Sequence, residues 1–225
     1  GLDSLALLLA LVRVAGDRRK LICLHADHGH SSHSGDWAAH CERICNSLSV
    51  QLIVEKLEIT ARSNLESEFR EKRYRFFKEV IKEAGVLFLG HHLNDQVETF
   101  FMRLFQGRGI FPMSHKSKRD GLMIFRPFIE LDKQTLRQYV ENVEFEFIED
   151  PSNQDLSYDR NYIRNVLSPA IGDRWPGFMN SVAGILTRID DQAGLLRHLF
   201  QGFGNEILVS ALPEQSRLKQ IWLRS

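Results

Sequence analysis

The sequence predicts an α/β fold: a parallel sheet with helices on both faces, followed by the start of a helical domain. Two observations carry this. Short apolar runs of strand length alternate with amphipathic stretches of helical period, and the runs end in polar clusters. Apolar residues make up 43% of the 225 residues, enough to cover a buried sheet.

The chain opens Gly1-Leu2-Asp3-Ser4 and continues directly into an apolar helix from Leu5 to Val12. A glycine, an acid and a hydroxyl at a helix start suit phosphate binding, because the first-turn N–H groups point outward and the dipole favours an anion. Asp3 would repel bare phosphate, so it implies Mg²⁺ between them. The same residues also read as an ordinary N-cap. Such a loop is launched by a strand, so a strand is expected ahead of Gly1. Leu218 to Leu223 reads as an interrupted helix, so further chain is expected at that end too.

Leu21 to Ala26 reads as a buried strand ending in Asp27-His28-Gly29. Asp36 caps a helix with Trp37, Cys41, Ile44, Cys45 and Leu48 at helical spacing. Gln51 to Ile59 is the next strand. Leu65 to Ala84 is a long helix with Phe69, Phe76, Phe77, Val80 and Ile81 toward the core. Val86 to Gly90 is a third strand, ending at His91-His92, and a helix from Asn94 to Phe105 follows. Gly107 to Gly109 and Ser114 to Gly121 read as loops, and Met123 to Ile129 as a strand broken by Pro127. Asp132 caps a helix to Asn142, Phe145 to Ile148 reads as a short strand, and Glu149 to Asn153 is turn chemistry. A short helix from Tyr162 to Ile171 is closed by Pro169 and Gly172, and Phe178 to Phe200 is a long helix. The expected organisation is a catalytic domain over 1–175, a linking helix over 176–201 and part of a helical second domain over 202–225.

Basic and acidic residues balance at 29 each, so net charge does not point to nucleic acid. Distribution is more telling. Thr99 to Arg119 holds five Lys or Arg and no acid, and Arg62 to Lys78 holds six basic residues against three acids. The second stretch is equally well explained as a solvated helix face. Cys23, Cys41 and Cys45 form no disulfide framework and match no zinc spacing, although several histidines lie near them. No apolar run approaches a membrane span and no signal peptide is visible, so the expectation is a cytoplasmic protein without a membrane partner.

In an open parallel sheet, ligands sit at the C-terminal ends of the strands. Gly1–Ser4, Asp27–Gly29 and His91–Glu98 are all placed there. Asp95 and Glu98, three apart at a helix start, share one face. They can hold Mg²⁺, accept a proton from an amine, or bind an ammonium group; they also complement the helix dipole. Arg160 and Arg164, four apart, suit phosphate or carboxylate recognition, or a surface ion pair with Asp159.

The opening resembles the end of the Ser-Gly-Gly-x-Asp-Ser loop of the N-type ATP pyrophosphatases, the PP-loop superfamily, with Gly1 as the second glycine. His91 to Thr99 is similar to the His-His-Leu-Asp-Asp-Gln-x-Glu-Thr motif of the tRNA(Ile)-lysidine synthases. Glu149 to Asn153 with Asp159-Arg160-Asn161-x-x-Arg164 resembles another motif of that family. So do Asp27-His28-Gly29, the Glu66 to Tyr74 stretch with Arg70 and Arg73, and Arg126-Pro127.

The resemblance implies a Rossmann-like domain followed by helical and C-terminal domains. It also implies a reaction. ATP adenylates C2–O of the wobble cytidine in the CAU anticodon of tRNA(Ile), and free L-lysine then displaces AMP to give lysidine, which switches the tRNA from Met to Ile. It assigns ATP to Gly1, Leu2, Asp3, Ser4, Ala26, His28 and His91, with Mg²⁺ on Asp3 through the phosphates. Arg126, Arg160, Arg164 and Arg108 are assigned to the adenylate or tRNA, and Asp95, Glu98 and Arg70 to catalysis. A lysine amine of pKa about 10.4 must lose a proton to attack, and Asp95 or Glu98 can take it. The target base must leave its stack, so a pocket for a flipped cytidine is expected. Asn94 departs from the family's first Asp, and Gly109 to Met113 is shorter than its glycine-rich loop. The alternatives are a PP-loop tRNA thiolase and a non-catalytic tRNA-binding module. Oligomeric state stays open, a homodimer being one option.

Overall fold

The computed structural model describes residues 1–27, 34–57, 65–82, 85–143 and 145–202. α1 (Leu2–Val14) buries Leu2, Leu5, Ala6, Leu9 and Val12, the apolar face that its periodicity dictates. β1 (Ile22–Asp27) and β2 (Gln51–Lys56) pair in parallel, Ile22 opposite Gln51, with α2 (Ser34–Ser47) between them in the chain. α3 (Leu65–Ile81) leads to β3 (Val86–Phe88), and α4 (Leu93–Phe105) follows. β4 (Lys116–Arg119) and β5 (Leu122–Phe125) form an antiparallel hairpin, and β5 also pairs in parallel with β3. Among the described residues the ladders make a two-stranded sheet, β1–β2, and a three-stranded sheet in the order β3–β5–β4. α3 joins them: its Tyr74, Phe76 and Phe77 cluster with Leu87, Leu122 and Ile124, and Leu24, Ala26 and Ile53 pack on the same cluster. α5 (Lys133–Glu141) closes the core on α1 through Leu136 and Val140.

Three expectations are corrected. The stretch read as a loop contains β4. Asp120 and Gly121 both have positive φ, +50° and +88°, between the paired residues Arg119 and Leu122. That is the two-residue turn that Asp-Gly favours. The strand pairing then stops at Phe125, before Pro127. Phe145 to Ile148 forms no strand; Phe145 and Phe147 instead pack on the cluster between α1 and α5, so their alternation serves packing rather than a ladder. Pro169 does not close the short helix expected from Tyr162 to Ile171. α6 (Asp159–Tyr162) runs through a π-helical turn, Ile163–Leu167, into α7 (Ser168–Arg174), where Pro169 sits in the first turn and its missing N–H is tolerated.

α8 (Phe178–Gly202) packs its first half on α4, burying Val182 and Leu186 against Leu93 and Val97. Residues 203–225, where most of the second domain was expected, lie outside the described residues, as does His28. Among the described residues no helix is long and apolar enough to cross a membrane.

Candidate active site

Gly1 is the N-cap of α1 and no side chain caps this helix. The Leu5 N–H bonds the Gly1 carbonyl at 3.1 Å, leaving the N–H groups of Leu2, Asp3 and Ser4 without intrahelical partners. This turn abuts the segment after β3. A Cβ on Gly90 would stand 2.7 Å from the Asp3 carbonyl oxygen, so only glycine permits the approach.

His92, the N-cap of α4, is 1% exposed. Its Nε2 lies 3.5 Å from Asp3 Oδ1 and 3.6 Å from Asp95 Oδ2, linking the two helix starts. Asp3 Oδ1 is buried without a hydrogen-bond partner. Burial pushes the Asp3 carboxyl up, but His92, with Lys133 and Arg164 beyond it, outweighs this and holds it below its usual value. Asn94, the departure from the family motif, accepts the Lys133 N–H at 2.9 Å and so ties α4 to the start of α5.

Asp95 is committed at both oxygens. Oδ2 accepts the His92 N–H at 3.0 Å, the reciprocal arm of a capping box, and Oδ1 accepts from Arg160 Nη2 at 2.6 Å. One turn on, Glu98 Oε2 accepts from Arg160 Nε at 2.6 Å and Arg164 Nη2 at 2.9 Å, while Oε1 accepts from Arg164 Nε at 2.7 Å. Asp95 and Glu98 are 7% and 3% exposed. The helix carrying the arginines is fixed by the acid-rich turn. Asn161 donates to the carbonyls of Ser152 and Asp155 at 2.8 and 2.9 Å, and Asn165 to that of Asn153 at 2.8 Å.

Beside this network lies a concentration of positive charge. Arg126 donates from Nε to His91 Nδ1 at 3.1 Å and from Nη1 to the Ser114 carbonyl and Ser117 Oγ. His91 is pushed down to about 4, first by burial, with Arg126, Arg160 and Arg70 adding to it and Asp95 opposing. It is therefore neutral at pH 7, with the remaining proton assigned to Nε2. Arg70 and Arg119 stand over the Tyr74 ring at 5.4 and 4.2 Å. Arg73 is lowered by burial and by the charges of Arg70, Arg119 and Arg160, with Tyr74 opposing. An anion would relieve this crowding.

The structure thus gathers Gly1, Leu2, Asp3, Ser4, His91, Asp95, Glu98, Arg160 and Arg164 around the starts of α1 and α4, with Arg70 and Arg126 flanking. Ala26 is half-buried near the end of β1. Arg108 is not gathered: it lies exposed past the far end of α4, near Gln106. Sequence reasoning missed His92 as the link between Asp3 and Asp95, although a residue preceding a helix with Asp three positions on is a capping signature. It also missed Ser117, on the unrecognised β4. Cys23, Cys41 and Cys45 are free thiols. Among the described residues no group of three or more His, Cys, Asp or Glu side chains is placed to hold a metal.

Residues 1–171 match the family described as the PP-loop domain. Among the similar proteins, the tRNA(Ile)-lysidine synthase of Legionella pneumophila (strain Paris) is 36% identical over 191 residues, 84% of this chain and 43% of that protein. That of Actinobacillus succinogenes is 37% identical over 204 residues, 88% and 48%. That of Actinobacillus pleuropneumoniae serotype 3 is 34% identical over 239 aligned positions, 99% and 56%. The chain spans about half the length of these relatives. Among solved structures, the U34-tRNA thiolase NcsA from Methanococcus maripaludis with its 4Fe-4S cluster is similar with a TM-score of 0.70 at 16% identity, over 84% of this chain and 69% of that one. That likeness concerns the fold.

Proposed function

This chain belongs to the PP-loop domain family, and from that premise we propose that it carries the ATP-dependent chemistry of a tRNA(Ile)-lysidine synthase. The observation that supports this best is the juxtaposition of two helix starts. The uncapped N-terminus of α1 suits phosphate, and the carboxylates of α4 suit an amine. His92 bridges them at 3.5 and 3.6 Å.

In this reading Gly1, Leu2, Asp3 and Ser4 hold the phosphates of ATP, with Ala26, His28 and His91 beside the nucleotide. Mg²⁺ fits at Asp3, whose buried Oδ1 lacks a partner and whose carboxyl lies below its usual value. With no protein cage among the described residues, phosphates and water would complete the shell. The wobble cytidine of tRNA(Ile) with the CAU anticodon is adenylated at C2–O with loss of pyrophosphate. Free L-lysine then attacks C2 through its side-chain amine and AMP leaves. Asp95 and Glu98 orient the amine and one of them takes its proton. Arg70, Arg126, Arg160 and Arg164 stabilise the charge on the phosphoryl group, and Arg108 touches the tRNA backbone outside the site.

The test incubates the full-length protein with ATP, Mg²⁺, L-lysine and a CAU-anticodon tRNA(Ile) transcript, followed by nucleoside analysis. Lysidine, with equal AMP, is the expected product. ATP-dependent thiolation when sulfide replaces L-lysine, or tRNA binding without pyrophosphate release, overturns the reading.

A further inference from the structure

Every oxygen of Asp95 and Glu98 already accepts a hydrogen bond, three of the four from guanidinium groups. Two carboxylates and two guanidinium groups also cancel in charge. A lysine ammonium approaching this neutral cluster gains little. The proposed function needs the same carboxylates to receive that amine, so one arginine has to give way first.

The two arginines are held differently. Arg164 meets Glu98 as a fork with two parallel bonds and its side chain is 26% exposed. Arg160 instead divides its carboxylate bonds, one to Asp95 and one to Glu98, both at 2.6 Å, and its side chain is 37% exposed. Arg160 spans both carboxylates, so its withdrawal frees Asp95 Oδ1 and removes one of the two donors to Glu98 Oε2, and its charge adds to the lowering of His91 and Arg73. A phosphate arriving there would both relieve that repulsion and compete with Asp95 and Glu98 for Arg160.

Resting on the function proposed above, we propose that Arg160 stands in for the substrate ammonium: it covers Asp95 and Glu98 until nucleotide phosphate draws it away, so that the amine is admitted only once nucleotide is bound. Withdrawal of one guanidinium changes the cluster from neutral to a net single negative charge, which is what a cation requires. The coupling is reciprocal, so bound lysine tightens nucleotide by the same factor, within the roughly 5- to 150-fold typical of coupled sites.

The experiment is equilibrium dialysis of labelled L-lysine against the full-length protein, with and without Mg²⁺ and α,β-methylene-ATP, which binds without transferring AMP. The expected result is lysine affinity about tenfold or more higher with the analogue. Arg160→Gln should raise the nucleotide-free affinity by a similar factor and abolish the analogue's effect. Arg160→Lys, which keeps the charge but cannot span both carboxylates, should weaken the effect partially and covers the case in which Arg160→Gln fails to fold, judged by circular dichroism. Equal lysine affinity in both states of the parent protein overturns the proposal. So does an Arg160→Gln protein that binds lysine no better than the parent without nucleotide, and so does lysine binding in neither state. Lysidine formation by the same preparation separates the outcomes: if lysidine forms while lysine binding ignores the analogue, the function stands and only this proposal falls.

Discussion

Arg164 meets Glu98 edge-on, Nε to Oε1 at 2.7 Å and Nη2 to Oε2 at 2.9 Å, joining residues 66 apart in the chain. The carboxylate is 3% exposed, so it depends on Arg164 and Arg160 for its hydrogen bonds. Arg164→Leu should therefore destabilise the fold by about 1–3 kcal/mol in urea unfolding, because Glu98 Oε1 is left buried without a donor while Arg160 still holds Oε2 at 2.6 Å. The double variant Arg164→Leu, Glu98→Leu should lose clearly less. A double variant as unstable as the sum of its two single variants would show that no coupling joins the pair.

Asp3 Oδ1 has one close imidazole neighbour, His92 Nε2 at 3.5 Å, and makes no hydrogen bond of normal length. Asp3→Ala should lower the melting temperature by a few degrees at most, through the lost His92 contact, while lowering tRNA-dependent pyrophosphate release about 100-fold or more, since the Mg²⁺ proposed there would lose its protein anchor. Unaltered release would remove Asp3 from the phosphate site.

Asp95→Asn keeps an oxygen for the His92 N–H but removes the charge. Lysidine formation should fall severely while adenylated tRNA accumulates, followed separately by rapid quench. Failure of both steps would instead place Asp95 with the metal. Normal kinetics for both would leave it as a helix-start carboxylate without a chemical role.

His91, pushed down to about 4, should titrate near there by NMR rather than near the ordinary histidine value of about 6.5. Between those values the unfolded chain binds the extra proton and the folded one does not. This histidine's contribution to stability is therefore fully present above about pH 6.5 and is lost as pH falls toward 4. Loss of stability confined to pH below 4 would contradict the assignment.

Lys116 and Lys118 project from the exposed positions of β4, whereas Arg119 packs over Tyr74 at 4.2 Å. Neutralising both lysines to Gln should reduce the salt dependence of tRNA binding by about two slope units, with lysine and ATP binding unchanged. Arg119→Gln should additionally lower the melting temperature. Identical salt slopes for parent and double variant would exclude these lysines from the tRNA path.

Much of this protein is determined locally and is legible in the sequence. The apolar period of α1 and α4, Gly1 at a helix start, the Asp95 and Glu98 pair, and Arg160 and Arg164 on one helix all follow from spacing, because a helix places neighbours three and four residues apart on one face. The Asp120-Gly121 turn was legible too. The strand before it is not legible, because β4, an edge strand of Lys-Ser-Lys-Arg, carries no apolar alternation, and charged edges are how sheets avoid further pairing. Tertiary structure decided what the charged pairs do. Asp95 and Glu98 on one side and Arg160 and Arg164 on the other each read plausibly as ligand-binding groups, yet they lie 62 to 66 residues apart and bind one another. Which cation satisfies a buried carboxylate depends on what the fold brings within 3 Å of it, and no local pattern contains that distance.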